Sequence, residues 1–174
     1  MAVRDISIRL ALADAIAVRA FRELLRTYGL VERVMQPYFG RFGITGSQWG
    51  VLRNLHRAGQ EGLAGLRVTA LSERLLIRPP SVTGAVDRLE RAGLVARESD
   101  PTDQRAKCVR LTAAGRKLVQ NVLEAHEQQI EAVLGGLPAA DQAQLLRLLT
   151  RLGRHLESLV IKGPFSIHPS PPSG

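Results

Sequence analysis

Two adjacent prolines, Pro79 and Pro80, set the tightest limit on what this chain can fold into. The stretch before them, ALSERLLI, has the apolar spacing of a short helix, and Thr69 stands where a side-chain N-cap would begin it. That helix cannot run on. Each proline lacks a backbone N–H, and the residue before a proline is pushed into extended geometry, so Arg78-Pro79-Pro80 enforces a break. Proline is nevertheless well accommodated in a first helical turn. A new helix is therefore expected from about Pro80 through SVTGAVDRLERAG, ending at Gly93. Its buried stripe is Val82, Val86 and Leu89, while Ser81, Thr83, Gly84, Asp87, Arg88 and Arg91 point elsewhere.

The next segment, LVARESDPTDQRAKCVRLT, reads as a β-hairpin. Leu94-Val95-Ala96-Arg97 and Cys108-Val109-Arg110-Leu111 are strand-like, and the tip carries the Ser, Asp, Pro and Thr chemistry of turns. A short helix, a tight break, a second helix and a hairpin form, in that order, a winged helix-turn-helix. The fold class expected is mainly α with a small β-hairpin (α+β).

Helices flank this unit. From about Leu10 to Phe42, Ile16, Phe21, Leu24, Leu25, Tyr28, Val31, Met35 and Tyr38 recur at helical spacing. Gly29 and Pro37 predict one kinked helix or two collinear ones. In GITGSQWGVLRNL, Thr45 and Gln48 fit a capping box, and Ile44 with Trp49 fits a hydrophobic staple, so a helix starts near Thr45 and ends before Gly59. The segment GQEGLAGLR reads as a loop. Thr112 caps a long helix that stops at Gly135-Gly136, and Pro138 opens a last helix striped by Leu145, Leu148, Leu149, Leu152, Leu156 and Leu159. This stripe, with the apolar first helix, exceeds what one thin winged domain needs to cover, and a second copy is its most economical partner. The expected layout is residues 1–43 and 113–162 as dimerisation helices, 44–112 as the winged domain, and 163–174, with four prolines and no periodicity, as a disordered tail.

Composition narrows the function. The 174 residues carry a formal net charge of +8, which favours polyanionic partners, and the excess is spread along the chain rather than massed in a tail. No apolar stretch reaches the roughly 18–20 residues of a membrane span, and charges inside the N-terminal apolar pattern break any signal-peptide core. The expected location is the cytoplasm. The single cysteine, Cys108, forbids an intrachain disulfide or a cysteine zinc cluster. There is no phosphate loop or nucleophile elbow, and His56, His126, His155 and His168 fall on unrelated elements, so neither an enzyme, a metal site nor a cofactor is expected.

A helix about 10–12 Å across fits the major groove of B-DNA, with its N-terminal residues toward the base edges. Here those residues are Ser81, Thr83 and Gly84, which either meet the DNA or satisfy their own first turn. Arg88 follows on the same helix, and the hairpin adds Arg97, Arg105, Lys107 and Arg110. Arg105, near the tip, is placed to enter an adjacent minor groove. Asp103 serves the turn or forms an ion pair with Arg105 that fixes the wing. The alternative use of such a fold is a protein-interaction module.

The run VTALSERLLIRPPSVTGAVDRLERAGLVARESDPTDQRAKCVRLTAAG resembles the MarR family of bacterial transcriptional regulators. The most specific match is the wing, with Asp103, Arg105, Val109, Leu111 and Thr112, and the resemblance covers roughly Tyr28 to Val160. It implies a homodimer with interlocking terminal helices, and two recognition helices in successive major grooves of a pseudo-palindromic operator. It further implies a regulator, most often a repressor, released by a small phenolic or otherwise anionic effector. Tyr28, Tyr38, Trp49 and His56 are the candidate lining of that effector's pocket, although each has a core or staple role that accounts for it. Arg78 departs from the family, which usually carries serine or a similar cap there. Arginine forfeits that acceptor, at a cost of about 1 kcal/mol, and a phosphate contact would offset it. Cys108 is read as strand filler, and His126 beside Glu127 and Glu131 as solvated charge rather than a metal site.

Overall fold

Thr45 starts the helix at the centre of the winged domain. Its Oγ1 accepts the Gln48 N–H at 3.3 Å and its own N–H donates to Gln48 Oε1 at 2.8 Å. Both halves of the capping box are thus made, and Ile44 and Trp49, the expected staple, are buried on either side. The computed structural model describes the backbone over residues 2–99 and 106–161. Asp103, Arg105 and the tail 163–174 lie outside the described residues, so the expected Asp103–Arg105 ion pair and the disordered tail are not among the features below.

The described elements are α1 (Ala2–Gly40), α2 (Gly46–Gln60), α3 (Val68–Leu75), α4 (Pro79–Arg91), β1 (Val95–Ser99), β2 (Lys107–Leu111), α5 (Ala113–Leu134) and α6 (Ala139–Ile161). The fold class is the one expected: mostly helical, with a two-stranded antiparallel sheet. α1 is one helix with Gly29 and Pro37 inside it, the first of the two expected forms and not two collinear helices. Glycine inside a helix costs only about 1 kcal/mol. Pro37 lies in the last turn, where the helix has almost ended.

α4 follows the proline rule. Pro79 and Pro80 occupy its first turn, and Val82, Ala85, Val86 and Leu89 form its buried stripe. α3 differs from expectation at its start. It begins at Val68 with Arg67 as N-cap and no side-chain cap bond, so Thr69 lies one turn-position inside the helix rather than at its cap. The cause is the loop before it. Leu66 N–H donates to Val109 O at 3.0 Å and Val109 N–H to Leu66 O at 2.8 Å, which fixes the chain against β2 and makes the helix turn immediately afterwards. The loop read from GQEGLAGLR therefore gives the sheet a third, one-residue edge.

The hairpin pairs Val95 with Leu111 through Ser99 with Lys107. Thr112 then does double duty. Its hydroxyl donates to Gly93 O at 2.7 Å and accepts the Gly115 N–H at 3.0 Å, capping α5 as expected.

The chain forms two compact units, residues 1–129 and 130–174. In the first, Leu52, Leu71, Val86, Leu89, Val109, Val119 and Val122 are fully buried and join α2, α3, α4, the sheet and α5 in one core. Tyr38 ties α1 to it by donating its hydroxyl to Val122 O at 2.9 Å. In the second, Gln142 Nε2 donates to the Leu134 and Leu137 carbonyls at 3.3 and 2.9 Å, closing the turn before α6. Among the described residues, no helix is long and apolar enough to cross a membrane.

His126 corrects the sequence reading. It was expected among solvated charges, but its ring is buried on α5, stacked on Tyr38 with centroids 5.7 Å apart and edge-on to Trp49 at 5.3 Å. Its Nδ1 and the Trp49 Nε1–H have no hydrogen-bond partner among the described residues. Burial, and then the charge of Arg53 on α2, hold the His126 pKa below its ordinary value. The unfolded chain thus takes up a proton at about pH 6.5, where the folded chain does not. Stability is expected to be full above that pH and to fall as the pH drops through the lowered folded value. Denaturant midpoints between pH 7 and 5 check this: His126→Phe should flatten the wild-type decline, and an equal decline in both would remove His126 as its source.

Candidate nucleic-acid interface

With Val82, Ala85, Val86 and Leu89 turned inward, helical periodicity puts Thr83, Gly84, Asp87, Arg88 and Arg91 on the outer face of α4, with Ser81 in its first turn. Ser81, Thr83, Arg88 and Arg78 are exposed. Thr83 Oγ1 donates to Pro79 O at 3.0 Å, which satisfies the helix and leaves its methyl and one lone pair outward. Gly84 keeps the centre of the face low, for a side chain there would meet only the far end of Arg88 at 3.8 Å. Arg78 sits at the N-cap with extended backbone and makes no side-chain cap bond. Pro79 and Pro80 carry no N–H, and the Ser81 and Val82 N–H groups donate to the Arg78 carbonyl at 3.0 and 3.4 Å, so it is the Arg78 side chain that is left to face outward.

The sequence reading put Arg97 on the DNA surface, and the structure gives it another occupation. Its guanidinium pairs with Asp87 at 2.5 Å and with Glu90, while its backbone N–H donates to Glu90 Oε1 at 3.0 Å. Asp87, and then Glu90, push its pKa further above an already high value. Arg97 is the brace that fixes β1 against α4, and so sets the angle between wing and helix. Opposite charges seven and ten residues apart across a turn carry no local signal, which is why this brace escaped the sequence reading. Lys107 remains exposed, with Nζ 3.2 Å from Ser99 Oγ, and Arg110 pairs with Glu98 at 2.8 Å.

The four residues suggested for an effector pocket do not converge. Tyr38 and Trp49 are buried in the aromatic cluster around His126. Tyr28 is 61% exposed on α1, with its hydroxyl on Glu32 at 2.9 Å. His56 lines a separate cavity of about 430 Å³, with Leu55, Leu63, Arg110, Leu111 and Arg116. Cys108 is buried in β2. Among the described residues, no three His, Cys, Asp or Glu side chains come together to hold a metal.

A short helix, a tight turn, a second helix with an open polar face, and a braced hairpin define a winged helix-turn-helix DNA-binding protein. Residues 42–106 match the model of the MarR family. The chain is 30% identical over 146 residues to the HTH-type transcriptional regulator YkoM of Bacillus subtilis, covering 84% of this chain and 92% of that one. It therefore belongs to the MarR family, as a DNA-binding transcriptional regulator. Among solved structures, Bordetella bronchiseptica BpsR, whose DNA binding is regulated by 6-hydroxynicotinic acid, has a TM-score of 0.69 at 27% identity, over 78% of this chain and 98% of BpsR. S. aureus MepR in complex with DNA has a TM-score of 0.66 at 25% identity, over 76% of this chain and 95% of MepR.

Proposed function

We propose that the chain is a repressor that binds a pseudo-palindromic operator as a homodimer, with α4 in the major groove and the wing beside it, and that a small aromatic or otherwise anionic effector releases it. The observation that carries this reading is the open outer face of α4: Ser81, Thr83 and Gly84 at its N-terminal end, flanked by Arg78 and Arg88, with no other element described over it. In this reading Ser81, Thr83 and Arg88 meet base edges or phosphates, and Arg78, Lys107 and Arg105 contact the backbone or the neighbouring minor groove. Arg97 acts through the brace to Asp87 and Glu90. Residues 44–112 form the DNA-binding part, and 1–43 and 113–162 the dimerising parts. The MepR complex with DNA and the response of BpsR to 6-hydroxynicotinic acid support the two halves of the proposal by family likeness.

Footprinting on the DNA upstream of the protein's own coding region, with and without aromatic acids, tests the whole. Protection of about 20 base pairs, relieved by an acid, is the expected result. A protein-interaction module would protect none. Arg78→Ala is expected to weaken binding about equally on operator and random duplex, and to flatten the slope of log affinity against log salt by about one unit. Anisotropy titrations at several salt concentrations measure it, and an unchanged slope takes Arg78 out of the interface.

A further inference from the structure

Four described residues adopt a left-handed backbone, and three of them are glycines: Gly43, Gly62 and Gly93. The fourth is Leu76, with φ 54° and ψ 34°, at the turn between α3 and α4. A leucine there meets the steric cost that glycine or asparagine avoids. It gains no burial in exchange, for Leu76 is 83% exposed, more than any other large apolar residue described. The turn around it is fixed. Leu76 N–H donates to Glu73 O at 3.3 Å and Ile77 N–H to Ser72 O at 3.2 Å, while the buried Ser72 hydroxyl donates to Ile77 O. The backbone thus holds an aliphatic side chain outward, two residues before the N-cap of α4 and beside the exposed Arg78, Pro79, Pro80 and Ser81.

This end of α4 is the end that enters the groove in the reading above, on which this inference rests. An aliphatic side chain cannot read hydrogen-bond donors or acceptors. The apolar feature that the major groove offers it is the C5-methyl of thymine. We infer that Leu76 is a specificity-determining residue of this regulator, contacting a thymine methyl at the margin of each half-site. A side chain that is strained, unburied and locked beside the reading helix is accounted for if its partner is the DNA.

The test uses the full-length chain and a duplex that the wild-type chain selects from a random-sequence pool. Each thymine is replaced in turn by deoxyuridine, which removes only the methyl group, and affinities are read by anisotropy at one salt concentration. For wild type, one replacement per half-site should weaken binding about fourfold, the worth of one buried methyl. Leu76→Gly and Leu76→Asn, both suited to the left-handed backbone, change both half-sites at once. They should therefore bind the thymine duplex about as weakly as wild type binds the duplex with both of those thymines replaced, and lose nothing further on that doubly replaced duplex. Neither variant should lower the thermal midpoint. Wild-type indifference to every deoxyuridine overturns the inference, as do variants that follow wild type across the scan or lose affinity equally on unrelated DNA. Ser81→Ala and Thr83→Ala separate the two readings. If both keep full discrimination against mismatched duplexes, the placement of α4 fails. If they lose discrimination while the Leu76 variants match wild type, only the role of Leu76 falls, and the exposed leucine is left to a protein partner.

Discussion

Gly115→Ala is expected to lower the thermal midpoint by roughly 6–12 °C. Glycine to alanine in a helix interior normally gains up to about 1 kcal/mol, so the sign itself is the prediction. At Gly115 a Cβ would stand 2.0 Å from the Leu94 carbonyl oxygen and 3.0 Å from its carbon. Both obstacles are backbone, and that backbone is held: Leu94 O accepts the Thr112 N–H at 3.1 Å, and Thr112 bonds both Gly93 O and the Gly115 N–H. To admit a methyl group, the first turn of α5 must lift off the end of the hairpin, breaking the cap and disturbing the register of β1 with β2. A loss of about 3 kcal/mol is in the range of such overpacking, and each kcal/mol moves the midpoint of a chain this size by about 2–4 °C. Gly59→Ala in α2 is the control, because a Cβ there meets nothing within 4 Å and the ordinary helical gain applies. Thermal melts of the two variants side by side decide the matter. A Gly115→Ala midpoint at or above wild type would show that the junction yields.

The same junction shows what the sequence made legible and what it hid. Local rules carried the element order. Thr45 with Gln48 announced α2, Pro79-Pro80 divided α3 from α4, and Thr112 announced α5, because caps and prolines act on neighbours within one turn. Alternation located both strands, since a hairpin's partners lie close in sequence. Contacts set by the fold as a whole left no such trace. A single bridge between Leu66 and Val109 has no periodicity, so its loop looked featureless, and the cap it displaced from Thr69 to Arg67 was misassigned with it. Arg97 read as a DNA cation because its carboxylate partners, Asp87 and Glu90, come together with it only once the helix and hairpin fold together. His126 read as solvated because its sequence neighbours Glu127 and Glu131 are charged, whereas its spatial neighbours Tyr38 and Trp49 are aromatic. On the interface itself, the residues of α4 were legible because one helix's periodicity separates its inner from its outer face. Leu76 was not, for its backbone angle is a property of the turn and not of the residue type.

The double substitution Leu149→Glu, Leu152→Glu is expected to turn the protein into a monomer and to weaken operator binding by about 10²- to 10⁴-fold. On α6, Leu148, Leu149, Leu152 and Leu156 are 51, 45, 38 and 48% exposed, an apolar stripe that the unit 130–174 leaves uncovered. On α1, within the other unit, Phe21, Leu25 and Tyr28 are likewise 62, 56 and 61% exposed. In the homodimer proposed above, the apolar surface that α1 and α6 leave exposed would be buried against the second copy, at about 25 cal/mol for each Å² covered. Two copies related by a twofold axis then present two α4 helices at half-sites about 34–36 Å apart. In that proposed assembly operator affinity would rest on the pairing, because the second helix would bind at an effective concentration in the millimolar range once the first is seated. Two carboxylates set in the stripe cannot be buried opposite their symmetry mates without desolvating like charges, so the association is opposed twice over. The monomer's own fold loses little, since both leucines face solvent within it. Sedimentation velocity should accordingly show a dimer for wild type and half that mass for the variant. Circular dichroism should be unchanged, and weak, salt-sensitive binding to random duplex should survive. A wild type that sediments as a monomer yet holds a palindrome tightly, or a variant that stays dimeric with full affinity, removes α6 from the assembly.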